Sequence, residues 1–179
     1  MRFTMVTKNK KKPEYSGVLL EVADDAGKPL LVIPEEQVLR QKLRHKGVIV
    51  CLRNLQGRVF LYRRPQSTTV RHSGLWSLAA SGRVIAGESF HAAAERHLAH
   101  ELSITDIDMA EVARLAPSVQ TGKAEAAIFL TARTSILPRI PDYSPQTAMF
   151  ADQEELRALL RDFPHMVTPF LQLVLPYLF

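Results

Sequence analysis

The sequence predicts an α/β fold in which helices flank a mixed β-sheet. Three observations carry that expectation. The middle of the chain holds short apolar runs rich in β-branched residues, and segments with helical spacing stand before, within and after them. Glycine, proline, asparagine and aspartate punctuate the boundaries. A chain of 179 residues with a hydrophobic fraction of 46% is long enough to bury its own core as one compact domain.

Each element has a local reason. Residues 1–13 read as a flexible basic tail ending at Pro13, and 14–179 as the domain. Gly17 to Val22 is a short apolar strand, Asp24 to Gly27 a turn, and Pro29 to Ile33 a second strand. Pro34-Glu35-Glu36 opens a helix that should reach about Leu43, with proline and acids in its first turn. Gly47–Arg53 and Arg58–Arg64 form a hairpin around Asn54–Gly57, and Pro65 stops the return strand. A polar loop over Gln66–Ser73 leads to a strand at Leu75–Ala79. Gly82 to Glu88 reads as a glycine-bounded loop, and Ser89 has N-cap chemistry for a helix to about Leu102. Strands follow near Glu111–Val119 and Glu125–Ala132, joined through Gln120–Lys123. Leu137–Pro145 is loop, Asp152–Leu160 a helix, and Thr168–Leu178 an apolar helical run limited by Pro176.

Charge and cysteine usage narrow the class. The net charge is +5, but Arg2, Lys8, Lys10, Lys11 and Lys12 lie in the tail. With those five set aside, 18 basic residues face 18 acidic ones, so the body is nearly neutral. The tail could touch an acidic surface; a solvated segment is the better reading, and nucleic acid is not the expected partner. Cys51 is the single cysteine, so no intrachain disulfide forms. No apolar run reaches the roughly 18 residues of a membrane span, and the N-terminus lacks the apolar core of a signal peptide. A cytoplasmic location is the expected default.

The chemistry concentrates in residues 82–104, GRVIAGESFHAAAERHLAHELSI. A helix over this stretch puts Phe90, Ala94, Leu98 and Leu102 on one apolar arc. Glu101 falls within that arc, with His97 and His100 beside it. A carboxylate on an apolar face needs a positive partner: a metal ion, Arg96, or a strand arginine such as Arg63 or Arg83. The H-x-x-H-E pattern would admit Zn²⁺, Mn²⁺, Co²⁺ or Ni²⁺, which accept nitrogen donors. The alternative is that both histidines are ordinary polar residues.

This segment resembles a Nudix box, the motif of enzymes that hydrolyse nucleoside diphosphates linked to another group. The family pattern is G-x5-E-x7-R-E-U-x-E-E-x-G-U, where U is a bulky aliphatic residue. Gly82, Glu88, Arg96, Leu98, Glu101 and Ile104 match it. His97 and His100 stand where the family has glutamates, and Ser103 replaces the late glycine. Outside the box, Arg44–Arg64 resembles the preceding strand pair and Gly74–Leu78 the GLWDL-like approach. Glu154-Glu155-Leu156 and Val167–Phe170 resemble the closing helices. The best match is the branch related to isopentenyl diphosphate isomerase, although Cys51 does not fit the isomerase's cysteine pattern.

The resemblance implies a Nudix α/β/α sandwich with a mixed sheet. It implies a divalent-cation-dependent hydrolase of a diphosphate-containing small molecule, of the nucleoside diphosphate derivative class. In the family, glutamates matching positions 97, 100 and 101 hold Mg²⁺ or Mn²⁺, one helps activate water, and the arginine matching Arg96 orients a helix glutamate. Here Glu101 alone survives of the three, so Mg²⁺ binding and catalysis should be weakened. The expected catalytic residues are Glu101, Arg96 and Glu88; the expected metal ligands are Glu101, His97 and His100. By the same resemblance Glu88 could support the metal or Arg96, as its counterpart does in the family, or equally serve as a favourable charge at the helix N-terminus. Arg63, Arg64 and Arg83, with Arg71, are expected to meet phosphates, against a plain surface role for each. Glu125 could face the site or be a solvated strand position. Trp76 could stack on a base, but core packing is the stronger reading. The C-terminal apolar run closes the core or offers a homodimer face. The alternative function is a non-catalytic domain that binds a nucleotide-like ligand or a protein partner.

Overall fold

The computed structural model describes residues 17–66, 72–140 and 143–179. The basic tail over 1–13 and Arg71 lie outside the described residues. The chain opens with a hairpin, β1 (Leu19–Ala23) and β2 (Pro29–Pro34), whose turn is held by Asp24 Oδ1 accepting from the backbone N–H groups of Ala26 and Lys28. Helix α1 (Glu35–Arg40) follows at once, with Glu35 and Glu36 in its first turn. It ends earlier than its apolar pattern suggests, and Lys42 turns the chain at φ 53°. Leu20, Val22 and Val38 form a small core between hairpin and helix.

Among the described residues the main sheet has seven strands. Its spine is the long strand β3 (His45–Asn54), which pairs in parallel with β8 (Ala124–Thr134). Antiparallel β7 (Met109–Leu115) lies beyond β8. On the other side, β3 meets β4 (Val59–Arg63) only at the base of their hairpin, where Arg53 faces Val59. The rest of that edge takes β6 (Ala80–Arg83), with Val48 opposite Gly82 and Val50 opposite Ala80. β4 instead pairs with β5 (Trp76–Leu78) and with β9 (Ala148–Ala151). The sheet is thus mixed, as expected. The run after Leu75 is two strands with different partners, and Gly82 and Arg83 end a strand rather than open a loop.

Side-chain alternation gives the sheet two buried faces. Val48, Val50, Leu52 and Phe60 pack under helix α2 (Phe90–Leu102) against Ala93, Ala94, Leu98 and Leu102. Ile49, Cys51, Leu61 and Ile128 pack against Leu156 of α3 (Gln153–Asp162) and Leu171 and Val174 of α4 (Pro169–Val174). Helix layers therefore cover both faces. The C-terminal run is α4 followed by a 3₁₀ turn at Leu175–Tyr177, because Pro176 interrupts the α-helical hydrogen bonding. Leu171, Val174 and Leu178 are buried within this chain, in accord with core closure. No helix among the described residues is long and apolar enough to cross a membrane.

Helix α2 carries its own boundary signals. Ser89 Oγ accepts from Ala92 N at 3.1 Å. At the other end Ser103 adopts the left-handed conformation, φ 55°, that glycine takes most easily at a helix C-terminus. Asp152 and Glu155 form a capping box on α3.

Candidate functional site

The firmest polar feature is a clamp between the loop before α2 and the helix itself. Arg96 Nε donates to Glu88 Oε1 and Arg96 Nη2 to Glu88 Oε2, each at 2.7 Å. Glu88 Oε2 also accepts from Ile85 N at 2.9 Å, which turns the loop back on itself. The Arg96 hydrogen bonds hold the Glu88 carboxyl below its usual range against its partial burial. The Glu88 contact in turn raises Arg96. Arg96 Nη2 reaches further, to the Arg83 carbonyl oxygen at 3.0 Å, and so ties α2 to the end of β6. Glu88 and Arg96 are thus together, in a positioning arrangement rather than as free acid and free cation.

Glu101 lies on the sheet-facing side of α2 and is half-buried. Its Oε2 accepts from the Tyr62 hydroxyl at 2.7 Å and its Oε1 from Ser81 N at 3.4 Å. Tyr62 was not among the residues singled out in the sequence. Burial, then the charge and hydrogen bond of Glu101, push the Tyr62 phenol up, and Arg64 opposes the shift from close by. Glu101, Tyr62 and Arg64 therefore form one polar chain across α2 and β4. Tyr62 stacks on Phe60 at 6.3 Å between ring centroids, which fixes the phenol's approach.

The three arginines expected at the site separate. Tyr62 packs on the α2 side of the sheet, and Leu61 packs on the other. Alternation sends Arg63 with Leu61, opposite Trp76 in register, and its Nε donates to the Gly74 carbonyl at 3.3 Å. Arg83 is engaged elsewhere. It sits across from Gly47, its guanidinium pairs with Glu35 of α1, and only its backbone carbonyl meets α2. Arg64 alone of the three stands beside the Tyr62–Glu101 pair. Among the described residues Arg64 forms no ion pair with a carboxylate.

The expected metal ligands are not gathered into one set. His100 is exposed on the helix. His97 turns toward β6, with Nε2 3.0 Å from the Arg83 carbonyl oxygen. Among the described residues no three His, Cys, Asp or Glu side chains are grouped to hold a metal ion. The donor set therefore does not fit an ion held by His97, His100 and Glu101 together. It does fit a hard cation that brings substrate oxygens and water with it, because Mg²⁺ commonly takes only one or two carboxylates beside phosphate oxygens. Glu101 is the carboxylate in place for that.

The remaining candidates resolve simply. Glu125 sits opposite Lys46 in register and meets Arg114 at 3.4 Å. Trp76 is buried in the core under α4, as the packing reading expects. Cys51 is buried, and burial pushes its thiol far up, so it carries no nucleophile.

Comparison with known proteins agrees with this architecture. The model of the NUDIX domain matches residues 43–163. An uncharacterized Nudix hydrolase of Pseudomonas aeruginosa is 34% identical over 96 residues, 54% of this chain and 56% of that protein. An uncharacterized Nudix hydrolase of Yersinia pestis is 26% identical over 92 residues, 51% of this chain and 50% of the other. The matched stretch thus spans about half the length of these curated relatives. Among solved structures, DR0079 from Deinococcus radiodurans superposes with a TM-score of 0.68 at 20% identity, covering 87% of this chain and 96% of that one. The MutT protein from Methanosarcina mazei superposes with a TM-score of 0.54 at 19% identity, covering 70% of this chain and 88% of the other. At such identities the structural likeness speaks for the fold alone. The family match covers the sheet, the Glu88–Arg96 clamp and the whole of α2, and the chain belongs to the Nudix family.

Proposed function

We propose that this chain is a Nudix-type hydrolase of a diphosphate-containing small molecule, of the nucleoside diphosphate derivative class, acting with a divalent cation that arrives on the diphosphate. The observation that carries this reading is Glu101. It is a half-buried carboxylate held at 2.7 Å by the Tyr62 hydroxyl and approached by Ser81 N–H, with the cation of Arg64 beside that hydroxyl. A bound cation would supply charge neutralisation on the diphosphate oxygens, and Glu101 would hold it. Arg64 offers a guanidinium to a phosphate oxygen, a charge-assisted contact stronger than a neutral one. Tyr62 and Ser81 orient the Glu101 carboxylate, and the Glu88–Arg96 clamp keeps α2 and β6 in register around it. The overall reaction adds water at phosphorus and breaks one bridging P–O bond.

A screen over diphosphate compounds, run in parallel with Mg²⁺, Mn²⁺, Co²⁺ and Zn²⁺ and read as phosphate freed from the monoester products by an added phosphatase, tests the reading. Turnover is expected with at least one metal, and Glu101→Gln should reduce it by about 100-fold or more. Turnover that survives Glu101→Gln unchanged would remove Glu101 from the mechanism. One observation favours a second reading, a domain that binds a nucleotide-like ligand without hydrolysing it. His97 and His100 occupy two positions where the family box has carboxylates, and His97 is committed to a backbone carbonyl. Saturable binding of a nucleoside diphosphate derivative, with no product under any of the four metals, would establish that reading instead.

A further inference from the structure

Gly82 and His97 are interlocked. A Cβ placed on Gly82 would lie 1.9 Å from His97 Cε1, 2.1 Å from Nε2 and 2.5 Å from Nδ1. The imidazole edge bearing both nitrogens therefore rests on the backbone of β6, and only a residue without a side chain leaves room for it. Nε2 stands 3.0 Å from the Arg83 carbonyl oxygen. A carbonyl only accepts, so Nε2 carries a proton in either charge state of the ring. Arg96 Nη1, 3.4 Å from the same nitrogen, then finds no acceptor there. Arg96 Nη2 instead shares the Arg83 carbonyl with His97. Two consecutive side chains of α2 thus converge on one oxygen of β6. Two residues earlier in the same strand, Ser81 N–H points at Glu101 Oε1.

We propose that His97 is a positioning residue and not a metal ligand: seated on Gly82, it pins the end of β6 to α2 and so fixes where Ser81 N–H meets Glu101. Three features support this. Both ring nitrogens face the strand, one of them is committed as a donor, and the carbonyl it meets has a second donor from the adjacent residue. A glutamate at this position would bring only acceptors to that carbonyl. The role does not depend on turnover, so a chain inactive in every hydrolysis assay leaves it standing.

The test uses the full chain with four variants: His97→Ala, His97→Gln, Gly82→Ala and the double Gly82→Ala/His97→Ala. Thermal unfolding and Mn²⁺ binding by electron paramagnetic resonance are read for each. His97→Ala should lower Tm by about 2–4 °C. His97→Gln keeps an N–H donor at similar reach and should recover at least half of that loss. Gly82→Ala should destabilise more than His97→Ala, because the imidazole is driven from its seat, and the double variant should melt above Gly82→Ala alone. With ADP present to bring Mn²⁺ to the site, the parent's spectrum should carry no imidazole-nitrogen coupling that His97→Ala removes. A fall in Mn²⁺ affinity alone is what a lost positioning contact gives. A nitrogen coupling present in the parent and lost in His97→Ala would overturn the proposal and make His97 a ligand. So would a glutamine variant no more stable than the alanine variant, or a double variant melting no higher than Gly82→Ala. If Gly82→Ala does not fold, a folded double variant supports the interlock. If both fail, the alanine–glutamine comparison decides.

Discussion

Replacing Glu88 with glutamine removes one charge from the clamp and leaves its shape. The side chain is 15% exposed and its partner Arg96 38% exposed, so the pair sits at the edge of solvent. Two hydrogen bonds at 2.7 Å join two charged groups. A hydrogen bond to a charged group contributes about 1.5–3 kcal/mol, and solvent screening of the half-exposed arginine brings the expected loss to about 1–2 kcal/mol. For a chain of this length each kcal/mol shifts Tm by about 2–4 °C. The pH dependence has a definite sign. The Arg96 contact lowers the folded-state pKa of Glu88. Its stabilisation is therefore present at neutral pH and is lost as pH falls through that lowered value. Glu88→Gln should be less stable than the parent at pH ~7, and the gap should close in acid as the parent's carboxylate is protonated. Urea unfolding at several pH values reads this directly. A gap below about 0.3 kcal/mol at neutral pH, or one that persists undiminished below the carboxylate range, would show that the clamp contributes nothing through charge.

Three other outcomes follow from single groups. Tyr62→Phe removes the 2.7 Å donor to Glu101 and should cost about 1–3 kcal/mol in urea unfolding, because a partly buried carboxylate loses its closest partner; equal stability would mean that water replaces the phenol freely. Ser103→Gly should stabilise by about 0.5–1 kcal/mol, since Ser103 holds φ 55° at the end of α2 where a Cβ is strained; a destabilised variant would show that backbone entropy outweighs that strain. Cys51 should resist alkylation at pH ~8 until the chain is unfolded, because its thiol is fully buried and its ionisation suppressed; labelling at the rate of a free thiol in the folded protein would contradict the packing of β3.

The features that the sequence made legible are those with short-range causes. Ser89 caps α2 through the N–H three residues on, and Glu88 meets Arg96 eight residues away across the same helix start. The cap depends on helical geometry that the local pattern already specifies, and the Glu88–Arg96 contact was legible only through the family resemblance. The features that stayed hidden depend on which strand lies under which helix. The chain passes from β5 to β6 at Ala79 and changes partner from β4 to β3, with no turn signal in Leu78-Ala79-Ala80 to mark it. That exchange places Gly82 under His97 and makes a strand-bound donor of a residue whose spacing alone would suit a ligand. The arginines were ambiguous for a related reason. Phe60 and Leu61 are both buried on opposite faces, so β4 has no polar side, and alternation alone cannot tell which of Arg63 and Arg64 faces α2. The register with β5 resolves it, by placing Arg63 opposite Trp76. Tyr62 then shares the face of Phe60 and becomes the partner of Glu101. A carboxylate on the apolar arc of α2 does require a polar partner, as the sequence implied. The structure supplies that partner from the sheet as a phenol and a backbone N–H, and Arg64 stands beside the phenol.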